Sequence, residues 1–160
     1  FTFLNDKISE VCSNQAESAI AVATSYNEAT GVISVASKIK CDNPGSYKVT
    51  VALVQDNVFF RQQGTNDTNY WVHEAGVKDV APSTGAGFAL NNGETTEVGD
   101  VYDFCCEFNK SALYAKGTGD YALDVLRDAR VLVYVQANGK IADNVVSCGL
   151  NQKVGFAYND

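Results

Sequence analysis

The chain has 160 residues, enough for one domain that buries roughly two-thirds of its unfolded surface. Hydrophobic residues make up 46% and charged residues 19%, a balance that excludes a disordered chain. With 12 Lys and Arg against 19 Asp and Glu the net charge is -7, and the scattered basic residues exclude a phosphate-backbone partner such as nucleic acid.

At the start, Leu4, Ile8, Val11, Cys12 and Gln15 recur at helical spacing, with Asn5 or Asp6 as a cap. Residues 1–17 are therefore expected to form a short N-terminal helix or linker, the end of a preceding domain. Residues 18–160 are expected to form the domain proper. The opening residues lack the basic start and apolar core of a signal peptide, so export is expected to be directed by sequence absent from this chain. No apolar run approaches the ~18 residues of a membrane-spanning helix, and no transmembrane segment is expected.

From Ile20 onward the hydrophobic rhythm changes to period two. Ile20 and Val22 alternate with alanines, and Ile33, Val35 and Ile39 alternate with Ser34, Ala36 and Lys38. Val49, Val51 and Leu53 form one face of the next strand, with Thr50, Ala52 and Val54 on the other. Tyr102, Phe104, Cys106 and Phe108 then share a face opposite Val101, Asp103, Cys105 and Glu107. The run Val131–Val135 is apolar on both sides and reads as a central strand. Val146, Cys148 and Leu150 close the series. Leu123, Val125 and Leu126, within Tyr121–Arg130, are expected to make one or two helical turns.

Turn signals separate these runs. Asn138-Gly139 is the strongest, because a type I′ turn needs positive φ at both central residues. Asn92-Gly93, Asn43-Pro44-Gly45 and Thr30-Gly31 are similar. Many short strands with frequent turns predict an all-β fold, an immunoglobulin-like β-sandwich of about seven to nine antiparallel strands.

Tyr47-Lys-Val-Thr-Val-Ala-Leu-Val-Gln-Asp-Asn-Val58, followed by Gln62-Gln-Gly64 and Tyr70-Trp-Val-His73, resembles the C-terminal domain of the Omp28-related outer membrane protein family of Bacteroidetes. The resemblance covers residues 17–155 and is sharpest over 47–78. It departs at Gln55, which stands where the family has an acidic residue, at Glu74, where the family has Asn, and at Lys78, which stands where the family has Arg. It implies a cell-envelope location, at the outer membrane or cell surface, through a lipoprotein anchor outside this chain. Relatives often carry a thioredoxin-like domain ahead of this one, which would make the N-terminal helix its remnant. No defined activity comes with the family.

Catalytic chemistry finds little footing. His73 is the single imidazole, so any Ser-His-Asp or Cys-His arrangement must run through it, and no G-x-S-x-G elbow accompanies it. It is expected to lie on a strand and hydrogen-bond a neighbouring loop. Asp100, Asp103 and Glu107 read as a solvated strand face rather than a glycosidase pair, and Asn66–Asn69 as a polar turn rather than a calcium loop. Five cysteines, Cys12, Cys41, Cys105, Cys106 and Cys148, leave at least one thiol free or paired between chains. Without a C-x-x-C no zinc site is expected, and no cofactor. Cys106 and Cys148 both fall on inward faces and are a candidate disulfide.

The expected role is a non-catalytic module that docks against a protein partner or a neighbouring domain of its own precursor. Its candidate contact surface comprises Asp56, Asn57, Gln62, Gly64, Tyr70, Trp71, His73 and Glu74. A carbohydrate-binding module using the aromatic rings of Tyr70 and Trp71 is the alternative, because Phe59/Phe60 and Tyr70/Trp71 are adjacent pairs of which one member must point outward.

Overall fold

A computed structural model of the chain describes residues 15–113, 126–139 and 142–157. The expected helix over residues 4–16 lies almost wholly outside them, as does most of the helical turn expected before the central strand. Residues 126–128 form a plain turn.

The described residues are all-β and the sheets antiparallel. One sheet holds β1 (Ser18–Asn27), β2 (Val32–Cys41), β8 (Val101–Asn109) and β11 (Lys153–Ala157), in the order β11-β1-β2-β8. The other holds β3 (Tyr47–Gln55), β6 (Gly76–Ala81), β9 (Ala129–Ala137) and β10 (Asn144–Gly149), in the order β10-β9-β3-β6, with β7 (Phe88–Ala89) also paired to β3. A small third sheet pairs β4 (Val58–Phe59) with β5 (Val72–His73).

The two larger sheets face one another across one core. Ile20, Val22, Ile33, Val35, Ile39 and Phe108 fill it from the first sheet, and Val49, Val51, Leu53, Val131, Val133 and Val135 from the second. These are the residues that the period-two rhythm points inward. β3 is buried on both faces except at Lys48, because β6 and β9 flank it and its outer side chains are covered too.

Two of the polar groups that enter the core, Tyr47 and Ser37, are bonded, whereas the buried Thr50 hydroxyl has no partner. The buried Tyr47 hydroxyl donates to carbonyl oxygens, that of Asn43 at 2.9 Å and that of Glu17 at 3.1 Å. Desolvation on burial pushes its pKa up to about 12. Ser37, inward on β2, donates to the Phe104 carbonyl at 2.9 Å.

Turn chemistry closes the strands. Asn27 Oδ1 accepts the N–H groups of Ala29 (3.0 Å) and Thr30 (3.2 Å), and Gly31 N–H returns to the Asn27 carbonyl at 2.8 Å. Asn138 (φ 51°) and Gly139 (φ 78°) both take positive φ as the sequence predicts. Their loop is longer than a two-residue turn, since β10 begins only at Asn144.

β9 and β10 are tied to the start of β1 by a polar corner. The Asp143 carboxylate accepts the Glu17 N–H at 2.8 Å and the Ser18 hydroxyl at 2.6 Å. The Asn144 side-chain amide donates to the carbonyls of Ser18 (2.7 Å) and Ala157 (3.0 Å), and its Oδ1 accepts the Val145 N–H at 2.8 Å.

Candidate functional site

Residues 56–75 form an arm at the far end of β3. β4 and β5 build it through the pairs Val58–His73 and Phe59–Val72, and Phe60 N–H donates to the Trp71 carbonyl at 2.8 Å. At its tip a 3-10 turn, Thr68–Trp71, is capped by Asp67, whose carboxylate accepts the Asn69 N–H at 3.0 Å. Asp67 thus serves a turn, as the polar-turn reading of 66–69 expects.

Each aromatic pair has one clasped and one exposed member, although Tyr70 and Trp71 lie in the 3-10 turn and Phe60 just beyond β4 rather than in strands. Phe59 and Trp71 turn toward one another, ring centroids 5.6 Å apart. The Arg61 guanidinium lies 5.8 Å from the Trp71 ring, and the indole N–H donates to the Thr65 carbonyl at 3.4 Å. Phe60 and Tyr70 are 64% and 61% exposed. His73 Nε2 sits 3.0 Å from the Phe60 carbonyl. A carbonyl only accepts, so the Nε2–H tautomer donates, and the imidazole is committed to holding the arm together.

A network of charges anchors the arm at its base. Asp56 takes two parallel bonds from Arg130, Nε to Oδ2 at 2.8 Å and Nη2 to Oδ1 at 2.9 Å, and its Oδ1 also accepts the Ala75 N–H at 2.7 Å. The Arg130 guanidinium holds the Asp56 carboxyl below its usual range, helped by the Ala75 amide. Glu74 adds its charge to the same cation. Asn57, at φ 55°, donates to the Asp128 carboxylate at 3.2 Å.

The structure therefore gathers all eight candidate residues at one end, and it separates them by use. Asp56, Asn57 and His73 are spent on internal bonds. Trp71 presents a ring already covered by Phe59 and Arg61. Gln62 and Gly64 lie exposed in the tip loop, Glu74 is exposed at the base, and Tyr70 faces solvent. Phe60 and Arg130 are the residues that the sequence list lacks. Phe60 is recoverable from the alternation, once the Phe59–Trp71 contact fixes which member faces inward. Arg130 meets Asp56 only because β9 pairs with β3 in the register Val54–Arg130.

Elsewhere the candidate chemistry is dispersed. Asp103 pairs with Lys38 at 2.6 Å on an exposed strand face, and Asp100 accepts the Tyr102 hydroxyl at 2.9 Å. Among the described residues no three His, Cys, Asp or Glu side chains gather to hold a metal. Cys106 and Cys148 are free thiols, so the expected disulfide is not made. Both point inward, but at opposite edges: β8 packs against β3 and β6, whereas β10 packs against β1 and β11. Burial pushes the Cys106 thiol up to about 12. No helix of the described residues is long and apolar enough to cross a membrane.

No family model and no curated protein matches the chain. Among solved structures it is similar to HBP35 of Porphyromonas gingivalis, with a TM-score of 0.64 at 17% identity, over 94% of this chain and 46% of that one. A β-glucosidase from Kluyveromyces marxianus in complex with glucose aligns over 87% of this chain and 14% of its own, at 10% identity and a TM-score of 0.33, too low to support an argument. The chain spans less than half the length of HBP35, and what the two share is the fold.

Proposed function

We propose that the chain is a non-catalytic module of a bacterial cell-envelope protein, which docks to a partner protein through the arm of residues 56–75. Its two layers are read as an immunoglobulin-like sandwich, a scaffold that commonly displays loops at its ends. The resemblance to the Omp28-related family supports an extracytoplasmic setting, at the outer membrane or cell surface with an anchor outside this chain. The fold shared with HBP35 is compatible with that setting.

The observation that carries the reading is the exposure of Phe60 and Tyr70 on an arm whose other aromatic pair is clasped. Large apolar rings held in solvent on a braced support suit a protein interface. The clasped Trp71 weakens the carbohydrate alternative, which needs an open indole face.

The test is capture from an envelope extract with the 160-residue chain and its Phe60→Ser/Tyr70→Ser variant. A stoichiometric protein partner kept by the parent and lost by the variant is the expected result. Equal retention by both overturns the role of the arm. Glycan-array binding abolished by Tyr70→Ala, with no protein captured, transfers the arm to the carbohydrate reading.

A further inference from the structure

We infer that the outer face of the four-stranded sheet is a contact between two copies of this chain, stacked face to face about a two-fold axis that runs along the strands between β1 and β2. The inference does not depend on the arm, which lies at the end of the other sheet.

The face is read in rows of paired residues. One row is Ser25, Ser34 and Glu107; the next is Lys153, Ala23, Ala36 and Cys105; the third places Ala21, Lys38 and Asp103 together. On β11 the register slips between its pairs with Val22 and Ile20, which leaves Gly155 and Phe156 opposite Ala21. The middle of the face is thus alanine, serine and cysteine, a trough of about 480 Å³ lined by Ala23, Ser25, Ser34, Ala36, Cys105 and Glu107. A second depression beside it reaches Lys38, Asp103 and Lys153. The rims are large: Phe156 and Val101 are each 48% exposed.

The charges and rims of this face complement themselves. Lys38 is neutralised by Asp103 and Lys40 by Asp42, which leaves Lys153 on β11 and Glu107 on β8 as the charges at opposite edges. An axis along the strands lays β11 of one copy over β8 of the other. Lys153 then meets Glu107 and Cys105, and Phe156 falls at the level of Asp103 and Val101. Ala23 lies over Ala36 and Ser25 over Ser34, small against small, so the sheets can approach closer than the usual ~10 Å. The other in-plane axis, across the strands through the row of Ala23 and Ala36, sets Lys153 against Lys153, and the like charges oppose it. A face four strands wide at ~4.8 Å and about ten residues long at ~3.4 Å covers roughly 600 Å² per copy. That is the lower end of specific interfaces, so a weak, reversible dimer is expected.

The test is sedimentation equilibrium of the 160-residue chain, with reductant present, from roughly ten to several hundred micromolar. Lys153→Glu and Glu107→Lys each convert two symmetry-related attractions into repulsions and should weaken association roughly tenfold. The double variant Lys153→Glu/Glu107→Lys restores both pairs with signs exchanged and should recover the parent's association. Ala36→Arg should abolish the dimer and leave the thermal midpoint of the dilute monomer unchanged, since Ala36 is exposed. A parent chain that stays monomeric overturns the inference and leaves the face to another occupant. So does a double variant that fails to recover, or an Ala36→Arg variant that still dimerises.

Discussion

Asn144 joins three strands through one buried side chain, and its replacement measures how far that corner holds the two sheets together. Its amide donates to the Ser18 and Ala157 carbonyls at 2.7 and 3.0 Å, and the residue is 1% exposed. Asn144→Leu removes both donors and leaves one buried acceptor, the Ser18 carbonyl, and one part-buried acceptor, the Ala157 carbonyl. At ~1–2 kcal/mol for the buried acceptor and less for the part-buried one, the expected loss is about 1–3 kcal/mol. Asn144→Asp keeps the shape but aims a carboxylate at two carbonyl oxygens, and should cost at least as much at about pH 7.

The two variants part company in acid. Burial beside acceptors raises the folded pKa of a carboxyl at position 144 above its unfolded value of ~3.9, so the folded variant binds more protons than the unfolded. Its stability therefore falls as pH rises from the unfolded to the folded value, and its deficit is smaller at about pH 4 than at about pH 7. Leucine binds no proton, and its deficit relative to the parent should not change. Urea denaturation of all three proteins at both pH values provides the measurement. Losses within about 0.5 kcal/mol of the parent would refute the reasoning, and so would an Asp deficit indifferent to pH.

Three further outcomes are expected. Arg130→Met breaks the two-bonded grip on Asp56 and should cost about 1–2 kcal/mol at pH ~7, discounted for the partial exposure of both side chains. Because the Asp56 carboxyl is held low, that contribution is present above the unfolded pKa and lost as pH falls through the folded one, so urea midpoints of parent and variant should converge in acid. A thiol reagent applied to the native chain should modify Cys105, which is exposed, while Cys41 and Cys148 react only after denaturation, as peptide mass mapping would record. Trp71→Ala removes the Phe59 contact and the Arg61 stack, and should speed hydrogen exchange at the Phe60 amide while β3 and β9 stay protected.

Alternation in the sequence was sufficient for β1, β2, β3, β8, β9 and β10, and it assigned Phe108 inward and Glu107 outward as the structure has them. It worked because a half-buried strand writes its orientation into every second residue. β11 escaped it: Lys153–Ala157 carries Gly155 and an irregular register, so no alternation survives. β6 escaped for a like reason, with its register slipping between Leu53 and Val54 of β3. Partner choice was the larger gap. Orientation says which face Cys106 and Cys148 occupy and nothing of which edge, and their separation across the core follows from strand order alone. The Asp56–Arg130 grip depends likewise on residues 74 positions apart meeting through β3 and β9. The arm was anticipated as a place, because its polar loop and paired aromatics are local signals. Its internal bonding was not, since each bond depends on how the loop folds back.

The polar corner at Asp143 and Asn144 also sets a direction for the whole molecule. It fastens Ser18 and Ala157 side by side, where Ile20 pairs with Ala157. β3 runs away from that corner, from Tyr47 beside Glu17 to Gln55 beside Ala129, a course of nine residues or about 30 Å. Glu17 and Ala157, near the two ends of the described residues, therefore lie together at the pole opposite Phe60 and Tyr70. That pole and the aromatic tip thus stand at opposite ends of β3, so a substitution at one is not in contact with the other, and the corner and the arm can be perturbed separately.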